Sequence, residues 1–276
     1  MVRGFLEFDK ELSMQSILSL LVFAPGFFGA PTAERVTYET SDAVKIVADY
    51  YAPPASDPGK KAPVAILIHM YPVNRSSWLP LITPLHEAGF AILAYDIRGK
   101  GESNEPAFKN LRDLYGKRDP ALFTEAWKDA AGGLKYLSKR PECDVSNVTV
   151  VGASIGAGIA VDFATHESRV KTLVLLSPYP EIMGLKTGEQ LKQIALKVAL
   201  FLISPDNEYD RIKDITVACN CAPKSEHYPG GAAQHGTNLM DEPTYGGQVV
   251  KSIVDFCKTA LKTKTDEKKP PSDKKP

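Results

Sequence analysis

The residues here whose types could do chemistry are a serine between two glycines, in Gly152-Ala-Ser154-Ile-Gly156, and five histidines, at 69, 86, 166, 227 and 235. A serine hydroxyl is almost wholly protonated near neutral pH. It becomes a nucleophile only with a neutral imidazole in hydrogen-bond reach, and the imidazole in turn needs an acid that orients it. Ser154 follows the β-branched run Val148-Thr-Val-Val151 and precedes the small-residue run Ala157-Gly-Ile-Ala160. This order reads as buried strand, sharp turn, helix. At such a turn the serine backbone is strained and the hydroxyl stands above the sheet. Gly152 and Gly156 occupy positions where a side chain would collide with a neighbouring strand or helix.

The rest of the chain must supply a frame for that turn. Arg35 to Ala52 alternates apolar and polar residues around Thr-Ser-Asp-Ala at 40–43, which predicts a β-hairpin. Pro53 to Lys61 reads as a loop. Ala62 to His69 and Phe90 to Tyr95 are nearly continuous apolar runs, as expected of strands buried on both faces. Ser76 to Gly89 and Glu125 to Arg140 have helical spacing. The helix after Ser154 extends to about Thr165. Val170–Leu176 and Lys197–Ile203 read as strands, Asp210–Cys219 as a short helix, Ala222–Tyr228 as a last edge strand and Tyr245–Leu261 as a closing helix. The alternation predicts an α/β domain with a mainly parallel, doubly wound sheet, an N-terminal antiparallel hairpin and no large lid. Chemistry in such sheets lies just beyond the carboxyl ends of the strands.

The residues at those ends are His69-Met-Tyr-Pro72, Asp96-Ile-Arg-Gly-Lys-Gly-Glu-Ser103, the Ser154 turn, Ser204-Pro-Asp-Asn-Glu208 and, near the chain end, Gly231-Ala-Ala-Gln-His-Gly-Thr237. In this order they resemble the α/β-hydrolase family, in particular its small, lidless serine esterases built like dienelactone hydrolases, over about Val36 to Leu261. Dienelactone hydrolases proper carry Cys where this chain has Ser154. The resemblance implies Ser154 as nucleophile and His235, in the loop before the closing helix, as base. It implies an oxyanion hole from the backbone N–H of Ile155 and that of Tyr71 or Met70. The acid belongs to the loop after Ile203. Counting from the strand end lands on Glu208, and anchoring on the Ser-Pro and Tyr pattern lands on Asn207. Asp206 and Glu208 flank that position; Asp206 is preferred as the commoner residue type, with Glu208 beside it. If neither carboxylate reaches the ring, Asn207 would orient it without charge. His69 would shape the oxyanion loop, and Asp96-x-Arg98-Gly99-x-Gly101 would be structural. His86, His166 and His227 read as surface or packing residues, and Ser103 lacks the turn a nucleophile needs.

The implied activity is hydrolysis of small carboxylic esters through an acyl-enzyme, without a cofactor. Peptidase or acyltransferase chemistry on the same frame, or a binding protein that has lost catalysis, are the other readings. Only about twenty residues, Ser177 to Leu196, separate two strands where larger relatives insert a lid. Tyr179, Met183 and Leu185 on one side, and Phe108, Leu111, Leu114 and Tyr115 on the other, are expected to line a shallow cleft. Gly152-Gly156-Gly158 has the wrong spacing for a dinucleotide fingerprint.

Lys and Arg number 33, as do Asp and Glu, so formal net charge is zero and no bulk field argues for nucleic acid or anionic membrane. Cys143, Cys219, Cys221 and Cys257 match no zinc spacing, and buried free thiols are expected, although one bridge is compatible with the sequence. Residues 1–33 read as a signal or anchor segment or an extra helix. Ser16 to Phe28 suits a signal core but is short for a membrane span, and Glu7, Asp9 and Glu11 precede it. The chain is expected to be exported or periplasmic if residues 14–30 act as a signal, and cytoplasmic otherwise. The domain is expected over 34–261, with a disordered Lys/Pro tail at 262–276.

Overall fold

A computed structural model describes residues 30–54, 59–104 and 110–267. The apolar run at 16–28, Phe108 and residues 268–276 lie outside the described residues.

The alternating hairpin forms as expected. Strands β1 (Glu34–Glu39) and β2 (Lys45–Tyr51) pair antiparallel, and β2 pairs antiparallel with β4 (Ala91–Tyr95). From there the sheet is parallel: β3 (Ala62–Ile68), β5 (Cys143–Ala153), β6 (Val170–Leu176), β7 (Ala199–Pro205) and β8 (Lys224–Tyr228) complete the order β1-β2-β4-β3-β5-β6-β7-β8. The apolar runs at 62–68 and 91–95 are buried almost throughout because helices cover both faces. Removing these side chains from water contributes about 25 cal/mol per Å² of apolar surface, the main favourable term in holding the layers together. The last strand is less buried, and its alternating Lys224, Glu226 and Tyr228 suit an edge.

Two cores flank the sheet. On one face α1 (Leu79–Glu87) and α8 (Gly246–Glu267) bury Leu81, Ile82, Leu85, Val249 and Ile253 against Leu67, Val151 and Phe201. On the other, α4 (Trp127–Leu137), α5 (Ile155–His166), α6 (Thr187–Ile194) and α7 (Tyr209–Cys219) cover Val64, Val150 and Leu173. Two short helices, α2 (Leu111–Gly116) and α3 (Pro120–Phe123), precede α4.

Several expectations are corrected. Helix α6 was not anticipated; it lies within the 177–196 segment, where Leu191 and Ile194 give it a buried face. Leu185 is fully buried beside Gly158 and is a core residue, not a cleft wall. Tyr115 is likewise buried, stacked on Tyr71 and tilted against Phe123. Helix α8 continues past Leu261 to Glu267, so residues 262–267 are helical and not part of the disordered tail expected over 262–276. Residues 262–267 contain neither Gly nor Pro, and extending an existing helix is far easier than nucleating one. Cys219 and Cys221 form a disulfide, with Cα atoms 5.3 Å apart. Asn220 between them ends α7 in the left-handed conformation (φ 49°, ψ 48°), which folds the two side chains together. Cys143 and Cys257 are buried free thiols.

Candidate active site

Strand β5 delivers Ser154 to the carboxyl edge of the sheet. Its amide still donates to Leu176 O of β6 at 2.8 Å, while its own carbonyl already accepts from Ala157 N–H at 2.9 Å. A single residue must therefore end a strand and start a helix. Ser154 does so at φ 53°, ψ −117°, a conformation that L residues rarely adopt. The flanking glycines make this turn sterically accessible. A Cβ on Gly152 would lie 2.3 Å from Gly156 O, and one on Gly156 would lie 2.2 Å from Ile68 O and 2.5 Å from His69 O. Ile155 opens α5, and the first amides of a helix have no partner within it.

A 3₁₀ turn at Asp206–Glu208 follows β7 directly. It leaves Asp206 and Asn207 exposed and carries Glu208 inward, where it is buried. Glu208 Oε1 lies 2.6 Å from His235 Nδ1. The preference for Asp206 is thus corrected: the carboxylate on the ring is Glu208. Burial pushes the Glu208 carboxyl up. The hydrogen bonds with His235 and Ser177 and the positive charges of His235 and Arg211 outweigh it, and the carboxyl ends below its ordinary range. It is therefore an anion at neutral pH, able to hold Nδ1–H and leave Nε2 free.

The His235 loop is fastened to the serine turn by the next residue. Gly236 N–H donates to Ser177 Oγ at 2.8 Å, and Ser177 follows β6, the strand that Ser154 is bonded to. A Cβ on Gly236 would be 3.6 Å from Ala153 Cβ and 2.5 Å from Met70 Sδ. The His235 loop, the residue before Ser154 and the His69-Met70 segment therefore meet at one point. Among the described residues no hydrogen bond joins Ser154 to His235. Such bonds are often long before substrate arrives and tighten on binding.

The other histidines are placed by the same geometry. His69 is fully buried, and burial pushes its imidazole down to about 4. Its Nε2 accepts from Ile97 N–H at 3.0 Å, so Nδ1 carries the proton and donates to Met70 O at 2.8 Å. Both nitrogens are committed, and His69 serves to fix the Met70 carbonyl. His227 Nδ1 is 2.9 Å from the buried Ser204 Oγ, a link between β7 and β8. His166 stacks on Trp127, and His86 is buried on α1. Arg98 pairs with Asp129 (2.8 Å) and Asp42 (2.8 Å), and Ser103 Oγ accepts from Val47 N–H. The Asp96–Ser103 segment is thus a structural turn.

Sequence reading missed Arg211 as part of the site, and it placed Tyr179 on a cleft wall without linking it to His235. Arg211 Nη1 lies 3.0 Å from Glu208 Oε1, and its guanidinium lies 4.1 Å from the Tyr179 ring centre. The Tyr179 ring meets His235 edge-on at 5.8 Å. The i, i+3 spacing of Glu208 and Arg211 on one turn was the available signal. Among the described residues no cluster of His, Cys, Asp and Glu could hold a metal ion, and no helix is long and apolar enough to cross a membrane.

Known proteins share this frame. The fold is similar to that of the Pyrococcus horikoshii acylaminoacyl peptidase (TM-score 0.64, 14% identity, covering 83% of this chain and 42% of that one). It is also similar to that of the Pyrococcus furiosus esterase Pf2001 (TM-score 0.56, 19% identity, covering 83% and 93%). In sequence, a Synechocystis sp. protein provisionally named as a non-heme chloroperoxidase is 29% identical over 135 residues, 48% of this chain and 42% of that protein. This chain spans less than half the length of the curated relatives it matches. The family model described as serine aminopeptidase, S33 matches residues 64–215, a stretch that runs from the strand before His69 past the serine turn to the helix bearing Arg211. With the eight-stranded, mostly parallel sheet that carries these turns, the match settles the family: this chain belongs to the serine aminopeptidase, S33 family of α/β-hydrolases.

Proposed function

We propose that this chain is a serine hydrolase that cleaves small carboxylic esters through an acyl-enzyme, with Ser154 as nucleophile, His235 as base and Glu208 as the orienting acid. The observation that carries the reading is the 2.6 Å contact between the buried Glu208 and His235, made by a loop that rests on the serine turn. His235 Nε2 takes the Ser154 proton as Oγ attacks the ester carbonyl, and the tetrahedral oxyanion forms. Collapse expels the alcohol, which receives that proton from His235. Water, deprotonated by the same nitrogen, then attacks the acyl-serine; collapse releases the acid as His235 returns the proton to Ser154 Oγ.

Ile155 N–H is one oxyanion donor in this proposal. Tyr71 N–H is favoured as the second. The Met70 carbonyl is held toward the buried His69 ring at 2.8 Å. In a trans peptide the next N–H points the opposite way, so the Tyr71 amide faces away from that ring. Met70 contributes its side chain instead, packed on Gly236.

Substrate size follows from the rim. Tyr71, backed by the buried Tyr115 at 5.1 Å, carries Arg118 at 4.6 Å, while Tyr179 stands by His235; the rim rings are Tyr71 and Tyr179. These rings suit short acyl groups. A fluorophosphonate probe should label the protein, and labelling should vanish in Ser154→Ala. Absence of labelling in folded protein would support a binding role instead. Rates on p-nitrophenyl esters should fall with acyl length; a preference for chains beyond about ten carbons would overturn the small-ester reading. Parallel assays on p-nitroanilides separate esterase from peptidase.

A further inference from the structure

The carboxylate that holds His235 is shared. Arg211 stands one turn into α7, and its Nη1 lies 3.0 Å from Glu208 Oε1, the same oxygen that His235 Nδ1 contacts at 2.6 Å. That Nη1 is buried yet aligns with no acceptor as a hydrogen bond. At this distance it acts on the carboxylate as a charge. The guanidinium also lies against Tyr179, whose edge meets the His235 ring. One cation thus touches both groups that bear on the imidazole, the anion at its Nδ1 and the aromatic ring at its side.

We infer that Arg211 is a positioning residue for this reaction: sharing Glu208 Oε1 with His235 and bracing Tyr179, it holds the ring in place and opposes retention of a proton on it. The inference rests on the reading of Ser154, His235 and Glu208 as a relay. Its physical basis is a balance of charges. A buried carboxylate alone favours imidazolium over imidazole, which would keep the base protonated and idle. A guanidinium on the same oxygen draws off part of that field and repels imidazolium directly. Being always charged, it does so at every working pH. The ring keeps its orienting bond to Glu208. The charged and titratable groups facing the ring are Glu208 and Arg211 from the β7–α7 segment and Tyr179 from the segment after β6. In the ring's own loop, Glu242 accepts from Gln234 (3.4 Å); Asp206, in the turn after β7, is exposed.

The test is the pH profile of kcat/KM on p-nitrophenyl acetate for the full chain and for Arg211→Gln, Arg211→Met and Arg211→Lys. Fluorophosphonate labelling of Ser154 is followed in each. With the charge removed, in Gln or Met, the acid limb should move up by roughly half to one pH unit. Arg211→Lys should return the limb to within about 0.3 unit of the parent. Met keeps the packing on Tyr179, so a folding defect confined to Gln leaves the comparison intact. An unmoved acid limb in folded, labelled Gln or Met variants overturns the inference, as does a Lys variant no closer to the parent than Gln. A parent protein that is not labelled, or labelling that survives in Ser154→Ala, defeats the relay reading and the role of Arg211 with it.

Discussion

Replacing Glu208 with Gln is the sharpest perturbation of the candidate site. The amide keeps the shape of the side chain and can still accept the Nδ1–H bond that now spans 2.6 Å. What disappears is the negative charge. Glu208 is only 2% exposed, so solvent does not replace that charge when the ring becomes imidazolium in the transition state. In well-studied serine triads the corresponding change lowers kcat by about 10⁴, or roughly 5.4 kcal/mol at 1.36 kcal/mol per tenfold. Two features of this site act in opposite directions. The retained amide oxygen preserves orientation and softens the loss, whereas Arg211, now without its ionic partner at 3.0 Å, destabilises imidazolium further. The expected fall in kcat is about 10³ to 10⁴, with KM within a few-fold. The exposed Asp206, changed to Asn, should stay within about twofold of the parent. Initial rates on a short p-nitrophenyl ester, with urea unfolding as a check on folding, make the comparison. A folded Glu208→Gln protein that keeps more than about a tenth of its kcat, or an Asp206→Asn protein that loses hundreds-fold, would refute the assignment. The pH behaviour of Glu208 also follows. Its folded pKa lies below its unfolded value, so its contribution to stability is present above about pH 4.3 and is lost as pH falls through the lower folded value.

Other perturbations test the frame. His69 is neutral in the fold with its value depressed to about 4 from 6.5. Its contribution to stability is therefore complete above about pH 6.5 and is lost on acidification through pH 4, on the order of 3 kcal/mol. Urea unfolding across that range should show uptake of one proton, and the uptake should be absent in His69→Asn. Gly156→Ala would press a methyl to 2.2 Å from Ile68 O, which is strand backbone and cannot yield; a loss of about 3 kcal/mol or more in thermal or urea unfolding is expected. Reducing Cys219–Cys221, a loop of three residues, should cost no more than about 1.5 kcal/mol because so short a loop has little closure entropy to lose. Urea midpoints with and without a phosphine reductant, against Cys219→Ser, measure it.

The parts of this protein legible in its sequence are those governed by local period. Alternation at 35–51 and unbroken apolar runs at 62–68 and 91–95 specify strands because side chains point to opposite faces with period two, and a strand covered on both faces tolerates few polar residues. Gly152 and Gly156 specify the turn at Ser154 because only glycine fits against the backbone there. The short helices α2 and α3 left a trace, Asn110 as a cap and Asp119-Pro120 as a start, but four to six residues give no period to read. Helix α6, with Leu191 and Ile194 three residues apart, had a weak amphipathic signal lost in a polar segment.

Residue order alone determined the sheet, its layers and the strand ends at which the reactive groups stand, because burial and chain connectivity dictate these. It left three neighbouring residues, Asp206, Asn207 and Glu208, chemically eligible for one position. Only the three-dimensional fold decided among them. The 3₁₀ turn after β7 rotates successive side chains by about 120°, so two face water while the third meets His235, and Arg211 arrives on the same oxygen one turn later.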